Sequence, residues 1–230
     1  VAITPDGARA YVANPNSNTV SVIRTADNTV IATIPVSSAP LGVDVSPEKV
    51  SALNAGRAPF VEAGLDALIE AGAGSGALRA VTSAREAVAA TEIALVCVGT
   101  PSLADGGQNL DYVRRVCQEI GEALKSKNDY FCIVVRSTLL PGTFEDVVIP
   151  VLEKASGRKA GADFGICQNP EFLREGTSIE DNDNPPFTVI GEFDARSGET
   201  AARLYRHLSA PLFRVTPGAA AMVKYACNAF

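Results

Sequence analysis

The chain has 230 residues, 47% hydrophobic and 20% charged, which is enough to bury a core in one or two domains. A net charge of −6 argues against a nucleic-acid partner, because phosphate backbones are held by basic faces. No apolar run approaches the roughly 20 residues that span a bilayer, so no membrane partner is expected.

Residues 1–36 carry short β-rich runs, ARAYVA, TVSVIR and TVIATIPV, separated by the turn clusters PDG, NPNSN and TADN. This is the rhythm of an antiparallel meander. TPDGARAYVAN, NTVSVI and VIATIPVSSAP resemble one blade of a YVTN-type β-propeller. One blade cannot close a ring, so a complete propeller is not expected.

From Ser46 onward the pattern alternates helix and strand. Ser46 and Pro47 read as N-cap and first residue of a helix PEKVSALN, which follows the short strand LGVDV. GLDALIEA reads as a helix, LRAVT as a strand, and Ser83 with Glu86 as a capping box before AVAAT. EIALVCV and YFCIVVRS are apolar enough for strands buried on both faces, separated by an amphipathic helix over LDYVRRVCQEIGEALKSK. GTFEDVVIPVLEKASG reads as a helix kinked at Pro150. FGICQ, FTVIGE and LFRV complete the strands, with one helix over ARSGETAARLYRHLS. The fold class expected is α/β: an incomplete doubly wound, mostly parallel, Rossmann-like sheet preceded by a short antiparallel β segment. The divisions expected are 1–40 as the repeat-like segment, 41–216 as the nucleotide-binding-like domain, and 217–230 as the start of a further helix that continues past residue 230.

Five cysteines, Cys97, Cys117, Cys132, Cys167 and Cys227, are odd in number and lack CxxC spacing. They read as buried reduced thiols of a cytoplasmic protein, with no disulfide and no metal expected. The lone His207 lies in RLYRHLS and reads as a packing or solvent-facing residue.

In doubly wound folds the carboxyl ends of the strands deliver residues to a ligand crevice. Asp44 stands at such an end, where an acid hydrogen-bonds ribose hydroxyls and repels a 2′-phosphate, favouring NAD over NADP; Lys49 follows five residues on. VGTPS places Val98, Gly99, Thr100 and Pro101 at the next tip, and RSTLLPGT places Ser137 and Thr138 at the one after. In QNPEFLREGTS, Glu175 is a candidate general acid/base, with Asn169 and Arg174 to fix a polar ligand. Met222, Lys224, Tyr225 and Asn228 recur at helical spacing, with Lys224 and Asn228 one turn apart. Read one at a time, each tip is also an ordinary βα turn and each charge a solvated one.

GVDVSPEKV, ALNAGRAP, GLDALIEAG, VCVGTPS, VVRSTLLPGT, NPEFLREGTSIED, PPFTVIGE and MVKYACN together resemble, in order and spacing, the N-terminal half of the UDP-glucose/GDP-mannose dehydrogenase family, from Leu41 to Phe230. SGRKAGADFG and the paired prolines of NPPFTVIGE tilt the resemblance towards its GDP-mannose branch. The resemblance implies two successive NAD-dependent oxidations at C6 of a sugar nucleotide, through a cysteine-bound thiohemiacetal and thioester, by a homodimer. It implies that Asp44 and Lys49 bind the NAD ribose, that Thr100 and Thr138 line the cofactor cleft, that Glu175 serves the hydrolytic steps, and that Lys224 and Asn228 stabilise oxyanions.

The departures are specific. The family opens with a Gly-rich turn roughly 20 residues before the ribose acid, but IRTADNTVIATIPVSSAPLG holds no glycine before Gly42. GAGSGA, residues 72–77, follows a helix and precedes a strand, the wrong context for a phosphate cradle. The family's nucleophile sits in a G-G-S-C motif, and none of the five cysteines here does. Ala221 and Ala63 replace a Glu and a Pro usual in the family. These departures lead to the expectation of a chimera joined near Pro40–Ser46, either a dehydrogenase fragment inactive alone, a non-catalytic binding module carrying a propeller piece, or a functionless recombination product. VIATIPV is expected either to fill the missing first-strand place or, more readily, to form a hairpin.

Overall fold

The computed structural model describes the backbone of residues 2–3, 9–14, 19–24 and 29–35, and residues 41–229 in full. The chain divides into two compact units, residues 1–59 with 66–82, and residues 60–65 with 83–230.

In the first unit β1 (Ala2–Ile3), β2 (Arg9–Asn14), β3 (Thr19–Arg24) and β4 (Thr29–Pro35) form a sheet in chain order, each pair antiparallel. The run VIATIPV therefore lies largely within β4, paired with β3 as a hairpin. A separate parallel pair joins β5 (Leu41–Val43) to β6 (Arg79–Val81), with α1 (Pro47–Asn54) and α2 (Leu65–Gly74) between them in sequence. The Ser46 hydroxyl caps α1 by accepting from Lys49 N at 3.3 Å, with Pro47 at the first helical position. Asn54 ties the end of α1 to β6, donating to Ala80 O at 2.9 Å and accepting from Ala80 N at 2.8 Å. GAGSGA spans the end of α2 and the turn before β6, so it opens no helix.

The second unit is built on a five-stranded sheet ordered β11-β10-β9-β8-β7: β7 (Ile93–Val96), β8 (Cys132–Val135), β9 (Gly165–Gln168), β10 (Thr188–Glu192) and β11 (Leu212–Val215). β7, β8 and β9 are mutually parallel, β10 runs antiparallel to β9, and β11 is parallel to β10. β8 shows why the sheet needs helices on both faces. Ile133 and Val135 enter one apolar cluster with α4 (Asp111–Leu124) and α5 (Ile149–Ser156); Cys132 and Val134 enter another with Ala201 of α7 (Ala195–Ala202). Fully burying such side chains is worth about 1.5–3 kcal/mol each.

Three expectations are corrected. EIALVCV is not buried on both faces: among the described residues β7 pairs only with β8, and Leu95 is 48% exposed. Cys97 and Cys227 are likewise exposed, whereas Cys117, Cys132 and Cys167 are buried; all five thiols are free. The helix over ARSGETAARLYRHLS stops at Ala202 and tightens into a 3₁₀ turn, Arg203–Tyr205. Pro150 sits just inside α5, directly after a π-helical turn, Phe144–Val148, so the helix changes register where the proline lacks an N–H. Short α3 (Ala84–Ala90) and α6 (Ser178–Asp183), then α8 (Pro217–Ala229), complete the unit. Gly191 of β10 lets α8 press close: a Cβ there would stand 2.7 Å from Pro217 Cα and 2.8 Å from Ala220 Cβ. Among the described residues no helix is long and apolar enough to cross a membrane, and no cluster of metal-binding side chains occurs.

Candidate functional site

Parallel β7 and β8 end side by side, so the two loops that leave them meet. Thr100 Oγ donates to Thr138 O at 3.0 Å, and Ser137 Oγ donates to Val98 O at 2.6 Å. Gln108 closes the junction: its amide N–H groups reach Thr138 O at 2.8 Å, Thr100 Oγ at 3.2 Å and Tyr225 OH of α8 at 3.3 Å. Val98, Thr100, Ser137 and Thr138 are thus brought together, beside Gly99 and Pro101. Ser137 is buried and spends its hydroxyl on backbone, a packing role. A side chain at Gly99 would meet nothing within 4 Å, so open space flanks this backbone.

The chain leaving β9 begins with Asn169, which is 1% exposed. Its Nδ2 donates to Val189 O at 2.8 Å, while its Oδ1 accepts from Arg136 NH1 at 3.2 Å and from the Tyr205 hydroxyl. Arg136 NH1 also reaches Tyr205 OH at 2.6 Å. Burial pushes the Tyr205 phenol above its ordinary range, with the Arg136 guanidinium pulling the other way. Arg174 is tied to Asp181, at 2.7 Å through NH2 and 3.1 Å through Nε. The sequence offered Asn169 and Arg174 as ligand contacts; the protein itself occupies both. Arg174 also holds the Asp181 carboxyl down at about 2.

Lys224 is 7% exposed, with its Nζ 3.3 Å from Glu171 Oε1 and 5.4 Å from the centre of the Phe172 ring. Asn228 is exposed one turn further along α8, and Glu175 is exposed in the loop. Sequence reasoning missed Glu171, Gln108, Arg136 and Tyr205. Glu171 was the discoverable one, an acid four residues before Glu175 within the same quoted motif.

In the first unit Asp44 follows β5. Its Oδ1 accepts from Ser46 N at 2.8 Å, and its Oδ2 lies 3.7 Å from Lys49 Nζ, with 34% of the side chain exposed. The carboxylate is oriented and reachable, as a ribose-binding acid must be. For a dinucleotide, then, an oriented acid and an open strand tip fit; the Gly-rich pyrophosphate turn has no counterpart in the sequence before Asp44.

Residues 26–209 match the model of the UDP-glucose/GDP-mannose dehydrogenase family, NAD binding domain. The chain is similar to GDP-mannose 6-dehydrogenase of Pseudomonas syringae pv. tomato, 52% identical over 188 residues, covering 82% of this chain and 43% of that protein. It is 38% identical over 195 residues to a UDP-glucose 6-dehydrogenase of Haloferax volcanii, covering 83% of this chain and 45% of the relative. Among solved structures, a ternary complex of GDP-mannose dehydrogenase from Pseudomonas aeruginosa superposes with a TM-score of 0.81 at 49% identity, covering 82% of this chain and 43% of that one. The chain thus spans less than half the length of these relatives.

Proposed function

Because this chain belongs to the UDP-glucose/GDP-mannose dehydrogenase family, we propose that it is the NAD-binding part of a cytoplasmic nucleotide-sugar 6-dehydrogenase acting on GDP-mannose, dimeric in its full form. The family match over residues 26–209 carries the reading. The GDP-mannose assignment is supported by identities of 49–52% to GDP-mannose enzymes, against 37–38% to UDP-glucose enzymes. The first forty residues we read as one YVTN-type repeat; four consecutive antiparallel strands, the make-up of a propeller blade, support it.

Bound NAD supplies the hydride acceptor for oxidation of the sugar alcohol. The chain's own residues bind and orient. Asp44 accepts hydrogen bonds from the adenosine ribose, its charge repels a 2′-phosphate, and Lys49 beside it contacts the same end. Val98, Gly99, Thr100, Pro101 and Thr138 line the cofactor from the tips of β7 and β8, with Gly99 admitting the ligand closely and buried Ser137 holding the two loops together beneath. Lys224, held 3.3 Å from Glu171, donates to an oxygen developing negative charge. Asn228, exposed one turn along from Lys224, helps to stabilise that oxygen and orders water, and exposed Glu175 handles the water's proton. Calorimetric titration with NAD tests the proposal. Asp44→Ala is expected to weaken binding about tenfold or more, the worth of hydrogen bonds to a charged group. Absence of NAD uptake, or an unchanged Asp44→Ala titration, overturns it.

A further inference from the structure

We propose that Arg136 is the seat of an oxyanion, the phosphate or carboxylate group of a small molecule, in the cleft beside Asn169 and Tyr205. The cleft measures about 180 Å³ and is walled by apolar side chains including Phe172, Phe187 and Leu208. Sites that swallow a whole drug-sized ligand run to roughly 300 Å³ or more, so this one takes a single group.

Charge accounting picks out the group. Of the charged residues lining the cleft, Glu171 is paired with Lys224, and Arg174 with Asp181. That leaves Arg136, whose side-chain partners are neutral: the Asn169 amide oxygen and the Tyr205 hydroxyl. Among the described residues no carboxylate pairs with it. A half-buried guanidinium without a counter-ion is costly, and this one sits in a chain of net charge −6.

The guanidinium is also fixed and half spent. NH1 uses its two N–H bonds on Asn169 and Tyr205, at 3.2 and 2.6 Å. Among the described residues nothing takes the Nε–H or the two N–H bonds of NH2, the edge that grips a phosphate or carboxylate in two places. Tyr205, its phenol held neutral by burial, locks the orientation without cancelling the charge. The other arginine group, Arg196, Arg203 and Arg206, is exposed, with Arg206 tied to Glu199 and Arg196 stacked on Tyr130. It serves as the control.

The inference stands apart from the dehydrogenase reading. The experiment titrates the protein calorimetrically with inorganic phosphate and, separately, with acetate at constant ionic strength. Saturable uptake of either anion, weakened about tenfold by Arg136→Gln and less by Tyr205→Phe, with Arg196→Gln/Arg203→Gln unchanged, supports the seat. The anion that binds identifies the chemistry. No saturable uptake, equal affinity in Arg136→Gln, or loss confined to the Arg196/Arg203 variant overturns it. Should Arg136→Gln fail to fold by circular dichroism, Arg136→Lys keeps the charge without the fork; a severalfold loss supports the seat and wild-type affinity overturns it. If NAD fails to bind while phosphate still requires Arg136, the seat is supported and the dehydrogenase reading alone falls.

Discussion

Gln108 shows how much one amide can hold. It joins the loops after β7 and β8 to Tyr225 of α8, while its Oε1 accepts from Leu140 N at 3.4 Å. Gln108→Ala would leave Thr138 O and Tyr225 OH short of partners. The expected cost is about 1–3 kcal/mol, read as a lower urea midpoint at unchanged slope; a midpoint within error of wild type shows that the loops hold themselves. Arg174 holds Asp181 at about 2, against about 3.9 in an unfolded chain. As pH falls the unfolded chain takes the proton first, so the support Asp181 gives the loop is complete above about 4 and lost on descending to about 2. A carboxyl-carbon NMR titration is expected to show that depressed midpoint, and a midpoint near 4 refutes the tie. That Thr100 and Thr138 share one end of the sheet was legible because each follows shortly after an apolar strand, where chain direction alone fixes the address. Gln108 was not, because its partner Thr138 lies 30 residues away and no local pattern announces it.

At the scale of elements, alternating apolar runs and capped helices were enough to read strand, helix and order through most of the second unit. Where the reading failed, tertiary contacts had overruled local preference. The helix over ARSGETAARLYRHLS looks continuous, yet its last turn tightens, and Tyr205 there meets Arg136 and Asn169. Its start at Ala195 was legible but its cap was not, since Asp194 and Ser197 form a capping box without the usual Glu or Gln. The seating of α8 depends on Gly191. Gly191→Ala is expected to cost about 1–3 kcal/mol by overpacking and to shift Lys224 away from Glu171. Thermal unfolding checks the first effect and the Lys224 side-chain NMR signal the second; an unperturbed signal means that α8 yields elsewhere.

For the whole molecule, the change of grammar near residue 40 was visible in the sequence, whereas the family match starts earlier, at residue 26. If residues 1–25 serve only as a repeat, their removal leaves NAD affinity unchanged, and a tenfold loss assigns them to the cofactor domain. The chain alone is expected to form no NADH from GDP-mannose, since none of its cysteines stands in the family's nucleophile motif; NADH formation overturns that expectation.

Among the described residues the outer side of β7 has no partner strand. Carbonyls of Glu92 and Val96 face β8, taking the N–H groups of Cys132 and Arg136. The backbone groups of Ile93 and Leu95 therefore look outward, beside a Leu95 side chain half in water. Two molecules meeting at this rim can zip together, so turbidity should climb with concentration, and a lysine in place of Leu95 should keep solutions clear.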